Sequence, residues 1–141
     1  MSYQQAFSVS AAGMDVERLR VEVATLNLAN AHTVAGPDGR LYQPLRVMSA
    51  SSPQELFSSV MAVQLRGPTA WVESTGTAPR QVLDPGHPMA DAKGFVAQPD
   101  VDPATEMMTM LSAMRSYEAN IAAMNTTRTM ALKSIEIGGA N

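Results

Sequence analysis

The placement of proline constrains this chain more than any other feature. Pro37, Pro44, Pro53, Pro68, Pro79, Pro85, Pro88 and Pro99 fall in the middle and Pro103 at a boundary, whereas residues 1–36 and 104–141 contain none. An interior proline removes a helix hydrogen bond and clashes with the preceding turn, at a cost of about 3 kcal/mol. The distribution predicts two helical ends around a middle that is not helical. Three segments follow: an N-terminal helix within 1–34, a β-rich middle over 35–100 and a C-terminal helix within 101–141.

Both ends carry helix signals of their own. Ser2 and Gln5 have the spacing of a capping box. Val9, Ala12, Val16, Leu19, Val23 and Leu26 then recur at spacings of 3 and 4, the a/d seam of a heptad. Asn27, Asn30 and His32 break the pattern and Gly36-Pro37 closes it, giving a helix of about 28 residues, or ~42 Å. Gly13 costs such a helix roughly 1 kcal/mol against alanine and so points to a kink or a close helix contact. At the other end, Asp102 suits an N-cap and Pro103 the first helical position. Met107, Met110, Met114, Tyr117, Ile121, Met124, Arg128, Ala131 and Ile135 continue the 3/4 spacing up to Gly138-Gly139. A second stripe (Met108, Leu111, Ala119, Ala122 and Leu132) widens the apolar face, so more than one neighbour must cover it.

The middle offers short strand-like pieces between Gly, Pro and Asp turns: Leu41–Gln43, Leu45–Val47, Ala70–Val72 and Gln81–Leu83. Residues 54–65 fit a short helix or a strand equally well. The expected fold class is α+β, mainly α: long terminal helices packed in a coiled-coil-like way, with a small irregular β-rich insert.

Composition removes several function classes. Net charge is −3 and Lys93 and Lys133 are the only lysines, which argues against a nucleic-acid partner. There is no cysteine, hence no thiolate chemistry and no disulfide. The first twenty residues lack a basic n-region, and Asp15, Glu17 and Arg18 interrupt any apolar stretch, so no cleaved secretory signal is expected. The strongest candidate for chemistry is Asp84-Pro-Gly-His87-Pro-Met-Ala-Asp91, a histidine between two carboxylates that a metal or a general base could use. Its prolines suit a rigid turn better, and no helical spacing aligns the ligands. No catalytic residue, cofactor, metal or small-molecule substrate is expected. Arg128, the one charge in the seam, either packs its aliphatic stem while its head snorkels to a neighbouring acid or, if buried across an interface, needs a paired carboxylate such as Glu17, Glu22 or a partner's acid.

Ser8-Val-Ser-Ala-Ala-Gly-Met14 followed by Leu26-Asn-Leu-Ala-Asn-Ala-His-Thr33 resembles the opening of the flagellar rod, hook and hook-associated axial proteins. Thr77–Asp91, Gly94-Phe-Val, Gln98–Asp102 and the ending from Glu106 to Gly138 are similar to the short proximal-rod members of that family. Met89 stands where an acid is usual and Asp100 where asparagine is usual, and residues 48–76 match least. The resemblance implies a structural subunit whose terminal helices form an axial core domain and stack helically into the torque-carrying rod of the basal body. It also implies export by the flagellar apparatus, and association with copies of itself, with other rod proteins and with the inner-membrane ring at the rod base. The seam residues of both helices, together with Asn27 and Asn30, are then expected at the assembly interface. Another proximal-rod type, a helical adaptor or export chaperone, and a metal-dependent hydrolase using His87 are the alternatives.

Overall fold

A computed structural model describes residues 3–36, 38–50 and 67–138. Helix α1 runs from Tyr3 to Asn30, 28 residues, and helix α2 from Pro103 to Gly138, 36 residues. Between them lie β1 (Leu45–Ala50), β2 (Thr69–Ser74), β3 (Arg80–Leu83) and β4 (Phe95–Gln98). The strands pair as two two-stranded sheets, β1 with β2 and β3 with β4. The chain is thus mainly α with a small β insert, as the prolines predict. Ser2 and the ambiguous 54–65 stretch lie outside the described residues.

Two differences from the sequence expectation have local causes. Leu41–Gln43 is not a strand: Pro44 cannot donate to a ladder, and the Tyr42 hydroxyl is drawn onto Asn27 at 2.8 Å. The added strand, β4, has only four residues between Gly94 and Pro99, too short for alternation to register.

The chain divides into two compact units, and each takes a part of both helices. One comprises Met1–Leu19, Met48–Trp71 and Ser112–Asn141. Here the Tyr3 and Ser134 hydroxyls lie 2.7 Å apart. A Cβ on Gly13 would stand 3.0 Å from the Asn120 amide, so Gly13 marks a close helix contact rather than a kink. These two points run in opposite directions along the helices, which are antiparallel in this unit. Gly67 lies closer still: a Cβ there would collide with that of Ala12 and stand 3.2 Å from the Ser8 carbonyl. Glycine lets this segment lie directly on the α1 backbone.

The other unit comprises Arg20–Val47 and Val72–Leu111. Strands β3 and β4 are antiparallel, with Val82 opposite Val96 and Leu83 opposite Phe95. Alternation sends Val96 into the core and leaves Leu83 and Phe95 outside. The Ala35 N–H donates to the Ala97 carbonyl and so ties the segment after α1 to β4. Asp102 starts α2 as the sequence predicts. Its carboxylate accepts the Ala104 and Thr105 N–H groups, each at 3.2 Å, and the Thr105 hydroxyl. The Thr105 hydroxyl above all, with the Ala104 N–H next, holds the Asp102 carboxyl below its ordinary value.

Candidate assembly surface

The side chains the fold buries are small. Among the described residues the buried apolar set is Val16, Val23, Ala24, Ala31, Val96, Val101 and Ala113. Large apolar side chains are outside instead, and ten of them are on α2: Met107, Met108, Leu111, Met114, Tyr117, Ile121, Met130, Leu132, Ile135 and Ile137. Scattered exposed leucines mean little, but a row of large apolar side chains along one helix marks a candidate packing surface.

The orientation of α2 explains the inversion. The half-buried and buried positions are Pro103, Glu106, Met110, Ala113, Ser116, Asn120, Met124, Thr127 and Ala131, again at spacings of 3 and 4. Met110, Met124 and Ala131 belong to the apolar seam read from the sequence. At the alternate heptad position the structure turns in Glu106, Ala113, Asn120 and Thr127, each one residue before Met107, Met114, Ile121 and Arg128, which are exposed. Apart from Met110 and Met124 the inner face is therefore small or polar, and most of the bulky apolar side chains point outward. Tyr117 and Ile135 are exposed as well.

Polar side chains on the C-terminal half of α2 do not spoil that face. The hydroxyls of Thr126 and Thr129 donate to carbonyls one turn back at 2.9 and 3.0 Å. With their hydrogen bonds closed inside the helix, these residues can be covered without leaving a donor unsatisfied. Arg128 is exposed and makes no ion pair among the described residues.

On α1 the predicted positions separate. Val16 and Val23 are buried, Ala12 and Leu19 half-buried, and Val9 and Leu26 exposed. Asn30 closes the helix end, its amide donating to the Leu26 carbonyl at 2.8 Å and its own carbonyl accepting the Thr33 hydroxyl. Asn27 is only 1% exposed. Its amide nitrogen donates to the Leu45 carbonyl (2.8 Å) and to Glu106 Oε1 (3.2 Å). Its oxygen accepts the Tyr42 hydroxyl (2.8 Å) and the Leu45 N–H (2.9 Å). All four hydrogen-bonding sites of the amide are filled within the chain. Burial first, and then the Glu106 charge, push the Tyr42 phenol above its ordinary value. Sequence reasoning names Asn27 but not this role, because its partners lie 15, 18 and 79 residues away.

The Asp84–Asp91 motif is a closed turn between β3 and β4. Met89 N–H donates to His87 Nδ1 at 3.1 Å, and Asp91 Oδ1 accepts the Lys93 and Phe95 N–H groups at 2.8 and 2.9 Å. The Asp84 N–H donates to the Gly94 carbonyl and the Asp91 N–H to the Phe95 carbonyl. His87 Nδ1 and Asp91 Oδ1 are thus engaged by backbone N–H groups of the turn. Among the described residues no helix is long and apolar enough to cross a membrane.

Known proteins resemble this chain over nearly its whole length. Residues 92–137 match the family described as flagellar basal body rod FlgEFG protein C-terminal. The flagellar basal-body rod protein FlgC of Yersinia enterocolitica is 36% identical over 98% of this chain and 99% of its own length. The protein of the same name from Bacillus subtilis (strain 168) is 35% identical over the same shares. That from Aquifex aeolicus is 30% identical over 96% of this chain and 97% of its own.

Proposed function

This chain belongs to the FlgC family of flagellar basal-body rod proteins, and from that membership we propose that the outward face of α2 is the surface by which its subunits pack into the rod. It is a structural subunit of the basal body. The observation that carries the proposal is the inverted distribution of size: small side chains inside, and ten large apolar ones exposed along one helix. Covering the half of each that remains in water contributes on the order of 1 kcal/mol per side chain. Repeated in every subunit, that is sufficient to hold a polymer whose separate chains are weakly cored.

In this reading the assembly core is drawn from residues 1–34 and 101–141, and residues 35–100 form the domain outside it. The contacts are made by Val9, Leu26, Met107, Met114, Tyr117, Ile121, Arg128 and Ile135, with the second stripe beside them. Ala12, Val16, Leu19, Val23, Asn27, Asn30, Met110, Met124 and Ala131 support those contacts from within. Neighbours are copies of the chain and other rod and basal-body proteins, including the inner-membrane ring at the rod base. Stacked helically at the proximal end of the rod, the subunits transmit torque through helix–helix packing and act without catalysis. Delivery is by the flagellar export apparatus.

Leu111→Asp and Ile135→Asp test the surface directly. Both side chains are exposed, so each variant is expected to keep the wild-type unfolding curve. In cells that depend on this chain, neither is expected to yield basal-body rods or swimming. Rods at wild-type numbers in both variants would remove the outward face of α2 from the assembly.

A further inference from the structure

Sulfur chemistry in this chain belongs to methionine alone, with 11 methionines and no cysteine. On α2 these side chains fall into two groups. Met107, Met108, Met114 and Met130 are 47–70% exposed, whereas Met110 and Met124 are half-buried on the inner face. We propose that the exposed four are an oxidation site of the unassembled subunit, at which a hydroperoxide converts thioethers to sulfoxides and prevents assembly; this rests on the outward face of α2 being the packing surface.

The chemistry is complete with the peroxide as co-reactant. A lone pair of the thioether sulfur attacks one peroxide oxygen, and an S–O bond forms as the O–O bond breaks. Sulfur gives up two electrons, and hydrogen peroxide is reduced to water. No thiol on the chain competes for the oxidant. The product replaces a flexible apolar side chain with a polar, chiral one. Its oxygen is well solvated on the free helix but lacks a donor once the face is covered by apolar neighbours. The site is open before assembly and closed after it, so the same packing that sulfoxides oppose protects the assembled thioethers. Reduction by methionine sulfoxide reductases restores the side chain.

Two measurements decide the proposal. Purified full-length chain is treated with hydrogen peroxide, and oxidation at each methionine is followed by peptide mass spectrometry. Met107, Met108, Met114 and Met130 are expected to oxidise roughly tenfold faster than Met110 and Met124, as exposure controls this reaction. Equal rates across all six would overturn the assignment. The second compares cells carrying the wild-type chain with cells carrying Met→Leu at the four exposed positions, both making new basal bodies under sublethal hydrogen peroxide. The leucine variant, close in volume and unable to be oxidised, is expected to continue building rods while the wild type stops. Equal loss in both strains refutes the oxidation proposal and leaves the packing surface standing. The packing surface is judged separately by Leu111→Asp and Ile135→Asp without peroxide: rods at wild-type numbers in both would contradict it, and with it the proposed block to assembly.

Discussion

Asn27 shows what one buried polar group can fix. Its amide joins α1 to the Leu45 backbone, to Tyr42 and to Glu106 at the start of α2, with no hydrogen-bonding site left over. An alanine there would strand the Leu45 N–H and carbonyl and leave the Tyr42 hydroxyl without its acceptor. Removing one member of a satisfied buried network costs about 1–3 kcal/mol, and more when several partners are orphaned together. Asn27→Ala is therefore expected to destabilise the isolated chain by about 3 kcal/mol in urea unfolding. A loss below about 0.5 kcal/mol, the ordinary range for surface substitutions, would mean that the network is incidental.

At the scale of elements, packing depends on glycine and alanine rather than on large side chains. Gly67 has no room for a Cβ because Ala12 occupies the space. Gly67→Ala is expected to cost about 1–3 kcal/mol through backbone displacement. Adding Ala12→Gly should return part of that loss despite the helix penalty of roughly 1 kcal/mol that glycine brings. If the double variant is as unstable as the sum of the two single ones, the close approach is not the cause.

The helices and their limits were legible in the sequence because proline, capping and heptad spacing are local signals: Asp102, Pro103 and the stop near Gly138 all follow from adjacent residues. Which side of α2 faces inward was not. Apolarity points to Met107, Met114 and Ile121, yet Glu106, Ala113, Asn120 and Thr127 face the chain's own interior. A hydrophobic pattern marks what will be buried but does not say by whom. Glu106 finds Asn27 and Asn120 lies against Gly13, pairings between residues far apart that leave no trace in spacing. Likewise, proline placement cuts the chain into consecutive segments, whereas each compact unit gathers pieces from both ends.

For the whole molecule, the consequence is a subunit that, among the described residues, buries small apolar side chains and leaves the large ones of α2 exposed, as the proposed packing surface requires. The absence of cysteine makes this directly measurable. A single cysteine in place of Met108, Ile121 or Leu132 becomes a unique label, and each of those side chains is exposed in the separate chain. Maleimide labelling of each variant is compared between purified subunit and isolated basal bodies, with denatured basal bodies setting full reaction. Rapid labelling of the subunit, and strong protection in basal bodies that is lost on denaturation, is the predicted result. Labelling of intact basal bodies as fast as of the free subunit at all three positions would contradict it.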